Sequence, residues 1–249
     1  MRTAVRTLPE ARWACWFEPA FERTPFQSAQ RSGDTALRSR LGHVYAVCLT
    51  IALGTLACTP QGDPAIGPAG FSDDFERSDL GDLWNNTGGP YRIVNGQLKV
   101  EGARNKPLWL RRTLPTDVSI EFDVRSDSSD GDIKVEVYGD GVSKAEAVSY
   151  TATSYVVIFG GWHNSLNVIA RLDEHGSARA RGPARKVESG RTYHMKITRR
   201  GATIEALVDG QLLASFKDPE PLRGTGHDHF AFNNWAAPLT FDNLRIRPL

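Results

Sequence analysis

From residue 71 onward, apolar and polar residues alternate with period two, and no stretch there carries the 3.6-residue apolar repeat of an amphipathic helix. In VSIEFDVRS, Val118, Ile120, Phe122 and Val124 point one way while Ser119, Glu121, Asp123 and Arg125 point the other. DIKVEVYGD repeats the pattern, with Ile133, Val135 and Val137 set against Lys134, Glu136 and Tyr138. A chain patterned this way cannot bury itself as helices; it must pair strands. Asn95-Gly96 and Asp209-Gly210 are two-residue turns that supply the positive φ of a tight hairpin, and Asp140-Gly141 is a third candidate. Turn spacing predicts roughly ten strands in an all-β, two-sheet antiparallel sandwich, each sheet burying one side and leaving the other polar. The absence of βαβ alternation excludes Rossmann and P-loop enzymes, and one domain covering 71–249 fits best.

Charge narrows the partners. Residues 59–249 carry 23 basic and 25 acidic groups, so the globular part offers no electrostatic capture of nucleic acid. The three cysteines are Cys15, Cys48 and Cys58, so the sandwich has no thiolate nucleophile, disulfide framework or Cys-based zinc site.

The N-terminal region reads as an address. In RSRLGHVYAVCLTIALGTLAC, residues 38–58, two arginines precede an apolar run, Val44 to Ala57, that is shorter than the ~18–20 residues of a membrane-spanning helix. It ends in small or aliphatic residues before Cys58 and resembles a bacterial lipoprotein signal, although Thr55 stands where such signals usually carry Leu. That resemblance implies lipidation of Cys58 and anchoring at a membrane surface of the cell envelope, with an ordinary cleaved signal peptide as the alternative. Residues 59–70 then form a Pro/Gly-rich tether, and residues 1–37 fit no export scheme and are expected to be a non-native or disordered leader.

Two polar clusters interrupt the strands. The first, GGWHNSLNVIARLDEHG, follows a long uncharged run expected to be a central strand; it offers Trp162, His163, Asn164, Arg171, Glu174 and His175. The second, GHDHFAFNNW, offers His227, Asp228, His229, Asn233, Asn234 and Trp235. They are either two halves of one binding site or two satisfied polar turns. Trp gives a sugar ring an apolar face, and Asn, His and Arg hydrogen-bond its hydroxyls. His163, His175, His227 and His229 are the candidate catalytic bases, because imidazole titrates near neutrality. Alternation puts His227 and His229 on one side of a strand, a two-ligand start for a metal site. Trp84, Trp109 and the phenylalanines are expected in the core.

The opening FSDDFERSDLGDLWNNTGGPYRIVNGQLKV resembles the first strands of concanavalin A-like lectin/glucanase jelly rolls, and PLTFDNLRIRPL is similar to the last strand of laminin-G-like and keto-disaccharide-hydrolase-type domains. The resemblance implies a jelly-roll sandwich over 71–249. It also implies a structural Ca²⁺ between the first and last strands, held by Asp73 or Asp74 and Asp242. Laminarinase-type glycosidases of this fold carry E-x-D-x-(x)-E on one strand; Glu121-Phe122-Asp123 begins that motif but no second Glu completes it, so this face reads as a solvated strand. The leading expectation is an exported, lipid-anchored, lectin-like module that binds a glycan or cell-surface polysaccharide. The alternatives are a saccharide hydrolase or lyase with a His base and Arg171 neutralising a substrate carboxylate, and a structural scaffold.

Overall fold

The computed structural model describes residues 62–146 and 150–249, so Cys58, the signal segment and the leader lie outside the described residues, and the described part of the expected tether is docked instead of free, with Ile66 buried and its amide donating to Thr113 O. Among the described residues fifteen strands build two antiparallel sheets. Numbered in chain order, the first sheet runs β13 (Gln211–Lys217), β12 (Thr203–Val208), β11 (Thr192–Arg200), β6 (Val118–Ser126), β15 (Leu239–Pro248), β4 (Gln97–Val100), β3 (Arg92–Val94), with β1 (Phe71–Asp73) also on β15. The second runs β10 (Arg179–Arg181), β9 (Leu166–Arg171), β8 (Tyr155–Gly160), β7 (Ile133–Gly139), β14 (His229–Asn233), β5 (Leu108–Leu110), β2 (Trp84–Asn86). The count exceeds the predicted ten because β1, β2, β3, β5 and β10 are three residues each, too short to show an alternation.

The alternating residues meet as predicted. Ile120, Phe122 and Val124 of β6 pack against Val135, Val137, Phe230 and Phe232 of the opposite sheet in one buried cluster. Asn95-Gly96 and Asp209-Gly210 close the β3–β4 and β12–β13 hairpins with positive φ at all four residues. Asp140-Gly141 does not close a hairpin. It opens the long connection from β7 to β8, where the Asp140 carboxylate accepts hydrogen bonds from the Val142 and Ser143 amides.

The outer face of the second sheet departs from expectation. All seven residues of β7 are buried, so its polar side, Lys134 and Glu136, is not solvated. Val156, Ile158, Val168 and Ala170 form a second apolar cluster on that outer face, with Tyr150, Trp162 and Leu166 packed on it. Trp109 is fully buried there too rather than between the sheets; its indole N–H donates to Ser143 O, and its ring lies against Gly139, where a Cβ would clash at 2.2 Å. Connections laid across this face make it a second interior, and the candidate site lies in it.

Candidate functional site

A cavity of about 660 Å³ opens on this outer face, at the end where β7 begins and β14 ends. Its floor is Lys134, from β7. The Nζ lies 2.8 Å from Glu174 Oε2 and donates to Asn105 Oδ1 at 3.1 Å; the lysine side chain is 4% exposed and that of Glu174 12%. Asn105 comes from the loop before β5, whose amides at Arg104 and Asn105 donate to the carbonyls of Trp235 and Asn234. That pairing fixes Trp235 as one wall, and the Arg104 guanidinium lies 4.7 Å over its indole.

Trp162 forms the opposing wall, placed by a left-handed turn. Trp162, His163 and Asn164 have φ of 49°, 56° and 59°, a conformation that costs roughly 1–2 kcal/mol per residue and signals an imposed geometry. Asn164 imposes it: the carboxamide donates to Ser129 O and Val187 O and accepts from the Val187 amide. Gly160, at φ 74°, admits this packing, since a Cβ there would meet Val187 and the Asn164 carboxamide inside 3 Å. His175 stands edge-on to Trp162, ring centroids 5.5 Å apart, with Nε2 3.6 Å from Glu174 Oε1. His163, largely exposed, lies 3.4 Å from Asp130 at the rim.

Burial shapes the acids here. Asp132, partly buried at the cavity edge, is pushed up to about 6 by loss of solvent, against the pull of Lys134. Behind the wall, Glu136 is fully buried and raised to about 7 by the same desolvation, against donation from Ser154 (2.5 Å), Tyr150 (3.0 Å) and Asn233 (2.6 Å). Because the folded pKa lies above the unfolded one, Glu136 binds more protons when folded, and its contribution to stability is lost as pH rises from about 4.5 through 7. Thermal midpoints measured at pH 5 and pH 8 should therefore differ by several degrees less in Glu136→Gln than in the parent, whatever constant cost the amide adds.

Trp162, His163, Glu174, His175 and Trp235 thus line one cavity, although they come from loops some seventy residues apart. The other predicted residues do not. Arg171 shares the core-facing side of β9 with Ile169, and its Nε donates to Asp218 at 3.0 Å; no substrate carboxylate in the cavity can reach it. Asn233 and Asn234 are buried tethers, the latter holding Ala103 and Ala237. His227, Asp228 and His229 sit at the far end of β14, where His229 pairs with Gly139. Lys134 pairs with Asn233, about 17 Å away by strand rise. His227 Nδ1 lies 2.7 Å from Thr153 O, and His229 lies between Asp63 and Asp228, so the two imidazoles do not converge. Nor do the proposed calcium ligands. Asp73 is taken by Arg77, the Trp84 indole and the Phe75 amide, Asp74 accepts from the Glu76 amide, and Asp242 accepts from Gln97 and the Asn243 amide. Among the described residues no three His, Cys, Asp or Glu are grouped to hold a metal ion. Glu121 and Asp123, on the exposed side of β6, pair with Lys196 and His194 as a solvated face.

Lys134 and Glu136 had no signal in the sequence, because alternation assigns a side of the sheet but not whether that side meets water, and Asp130, Asp132, Asn105 and Tyr150 lie in connections where no periodicity applies.

Relatives share this architecture. An extracellular exo-alpha-L-arabinofuranosidase of Streptomyces chartreusis is 25% identical over 173 residues, 69% of this chain but only 20% of that enzyme. The carbohydrate-binding module CBM66 of Bacillus subtilis superposes with a TM-score of 0.50 at 14% identity, covering 66% of this chain and 95% of the module. The Emp47p carbohydrate recognition domain does so at 0.53 and 13% identity, covering 72% and 95%. These structural likenesses establish a concanavalin A-like jelly-roll sandwich. A family described as the 3-keto-alpha-glucoside-1,2-lyase-like domain matches residues 70–247, nearly all of the sandwich, and the chain belongs to that family.

Proposed function

We propose that the domain is a saccharide-active enzyme that cleaves 3-keto glucosides by elimination between C1 and C2. The observation that carries this reading is the buried Lys134–Glu174 pair at the floor of a cavity walled by Trp162 and Trp235. Indole walls with neutral or exposed hydrogen-bonding groups are enough to bind a glycan, whereas an ammonium held out of water beneath the ligand is costly to bury.

Elimination across C1–C2 requires a base at the C2 hydrogen, which the C3 ketone acidifies, and a donor for the oxyanion that forms at O3. It also requires a proton for the departing O1. In this reading Lys134 Nζ donates to the ketone oxygen and holds the developing enolate. His175 takes the C2 proton, with Glu174 beside it to stabilise the imidazolium. Trp162 and Trp235 hold the pyranose ring between them, and Asn105 keeps the ammonium aimed at the cavity. Of the four candidate histidines, His175 is the one placed against both a carboxylate and an indole wall.

The protein incubated with a 3-keto glucoside should release the alcohol and leave a conjugated enone that absorbs in the ultraviolet. Release of the alcohol without an enone would instead indicate hydrolysis, and saturable binding without release would restore the lectin-like reading. The paired change Trp162→Ala, Trp235→Ala should raise KM or Kd for the sugar by about ten- to a hundredfold, at about 0.7–1.4 kcal/mol per ring face, with a smaller effect on kcat.

Export through the segment 38–58 and lipidation at Cys58 complete the proposal, putting the domain where extracellular saccharides are met. Labelled palmitate should enter the parent protein and not Cys58→Ser.

A further inference from the structure

We propose that Tyr150 and Glu136 form a proton relay that protonates the departing glycosidic oxygen, with Tyr150 as the residue that touches substrate and Glu136 as the positioned reservoir behind it. The proposal rests on the eliminative reading above, which leaves the third requirement, the acid, unassigned.

The geometry admits few other routes for a proton on Glu136. Its carboxylate is wholly buried and surrounded by three side-chain donors. Asn233 can only donate to it, because the carboxamide turns Nδ2 to Glu136 and Oδ1 to the Asn234 amide, each at 2.6 Å. When Glu136 carries a proton, only the hydroxyls of Ser154 and Tyr150 can accept its hydrogen bond. Ser154 is fully buried, whereas Tyr150 lines the cavity. A proton offered to Tyr150 Oη frees the phenolic hydrogen, which otherwise points at Glu136, to turn toward the ligand. The same network reaches the catalytic floor from the other side. Asn233 Nδ2 lies 3.4 Å from Asn105 Oδ1, which accepts from Lys134, which in turn meets Glu174.

In the step, the C1–O1 bond breaks and its electron pair stays on oxygen. That oxygen takes the Tyr150 hydroxyl proton, Tyr150 takes the proton of Glu136, and Glu136 is left as a carboxylate held by Ser154 and Asn233. The C2 proton on His175 passes to solvent, from which Glu136 is recharged. The charged and titratable groups facing the pair are Lys134 on the same strand, Glu174 beyond it, and Asp140 and Tyr91 at longer range. Burial, with the nearby Glu136 charge adding to it, holds the Tyr150 phenol far above its ordinary range, so it serves as a conduit and is never itself a standing phenolate.

The test compares two 3-keto glucosides on the whole protein, one with an alkyl and one with a nitrophenyl leaving group. A nitrophenolate departs without a proton; an alkoxide does not. Tyr150→Phe and Glu136→Gln should each slow the alkyl glycoside by about a hundredfold or more and the nitrophenyl glycoside by less than about fivefold, and the loss of parent activity above pH 7 on the alkyl substrate should vanish in Glu136→Gln. Equal slowing of both substrates, the signature of a merely structural role, overturns the relay, as does unchanged turnover. Inactivity of the parent on both glycosides would fail the eliminative reading, and infrared titration then decides the relay alone. A protonated-carboxyl band titrating near pH 7, absent in Glu136→Gln and shifted in Tyr150→Phe, supports a shared proton; a missing or unshifted band overturns it.

Discussion

Lys134→Met is expected to lower kcat on a 3-keto glucoside by about a thousandfold while leaving KM within a few-fold of the parent. In the proposed elimination the ammonium meets a neutral ketone in the ground state and an enolate in the transition state, so most of its interaction is made only as charge develops, and its loss appears in kcat. One preorganised donor to such an oxyanion accounts for roughly 10²–10³, and a full charge in a largely dry floor lies at the top of that range. Methionine keeps the volume of the lysine stem, so the cavity should keep its shape. What changes structurally is that the Glu174 carboxylate loses its partner at 2.8 Å. Removing one member of a buried pair destabilises the fold, although Glu174 keeps some exposure and His175 nearby. Steady-state kinetics beside a thermal melt separates the two effects. A variant that melts within a few degrees of the parent and turns over less than tenfold more slowly would remove Lys134 from the reacting centre, and with it the reason to prefer catalysis over binding.

Phe232→Ala should cost about 3–5 kcal/mol and lower the melting temperature by roughly 10 °C or more. Phe232 is fully buried at the meeting point of the two sheets. Its ring centroid lies 4.4 Å from Phe241, 5.0 Å from Phe230, 5.5 Å from Trp84, 5.6 Å from Phe122 and 6.1 Å from Phe75. Truncation removes five aromatic contacts at once and leaves a cavity that rigid β-ladders on both sides cannot close. Because domains of this kind are stable by only about 5–15 kcal/mol, the loss is a large fraction of the whole. Phe216→Ala, at a half-buried position on β13 with one aromatic neighbour, should cost markedly less. Differential calorimetry of the two variants checks the ranking. The site should suffer with the core, since Asn233, the residue after Phe232, holds Glu136.

Much of the fold was legible because its cause is local. The alternation in β6 and the positive-φ pairs Asn95-Gly96 and Asp209-Gly210 each act within a few residues. The site was legible in part. Two clusters rich in Trp and His did contribute both walls of a cavity, but parity misled where a strand's sides were taken for inside and water. Arg171, expected at the ligand, lies on the core side of β9; Lys134 and Glu136, expected in water, lie under loops. His227 and His229 share a side with Asn233 on β14 but sit at its opposite end, and position along a strand is as decisive as side.

By itself, then, the sequence determined that this chain pairs strands into two sheets, where its tightest turns fall, and that its aromatic and imidazole groups gather in two places. A period of two is imposed by the backbone, and solvent selects which half of it is apolar. That the outer face of one sheet is a second interior depends on contacts between segments far apart in the chain. Among the described residues, the connections that cover it come from 101–107, 140–146, 150–154, 161–165 and 172–178, and no local pattern in β7 records that they will fold over it. That covering withdraws water from an ordinary polar strand face and leaves a lysine and a glutamate buried on it, where charge interactions are stronger than at an exposed surface.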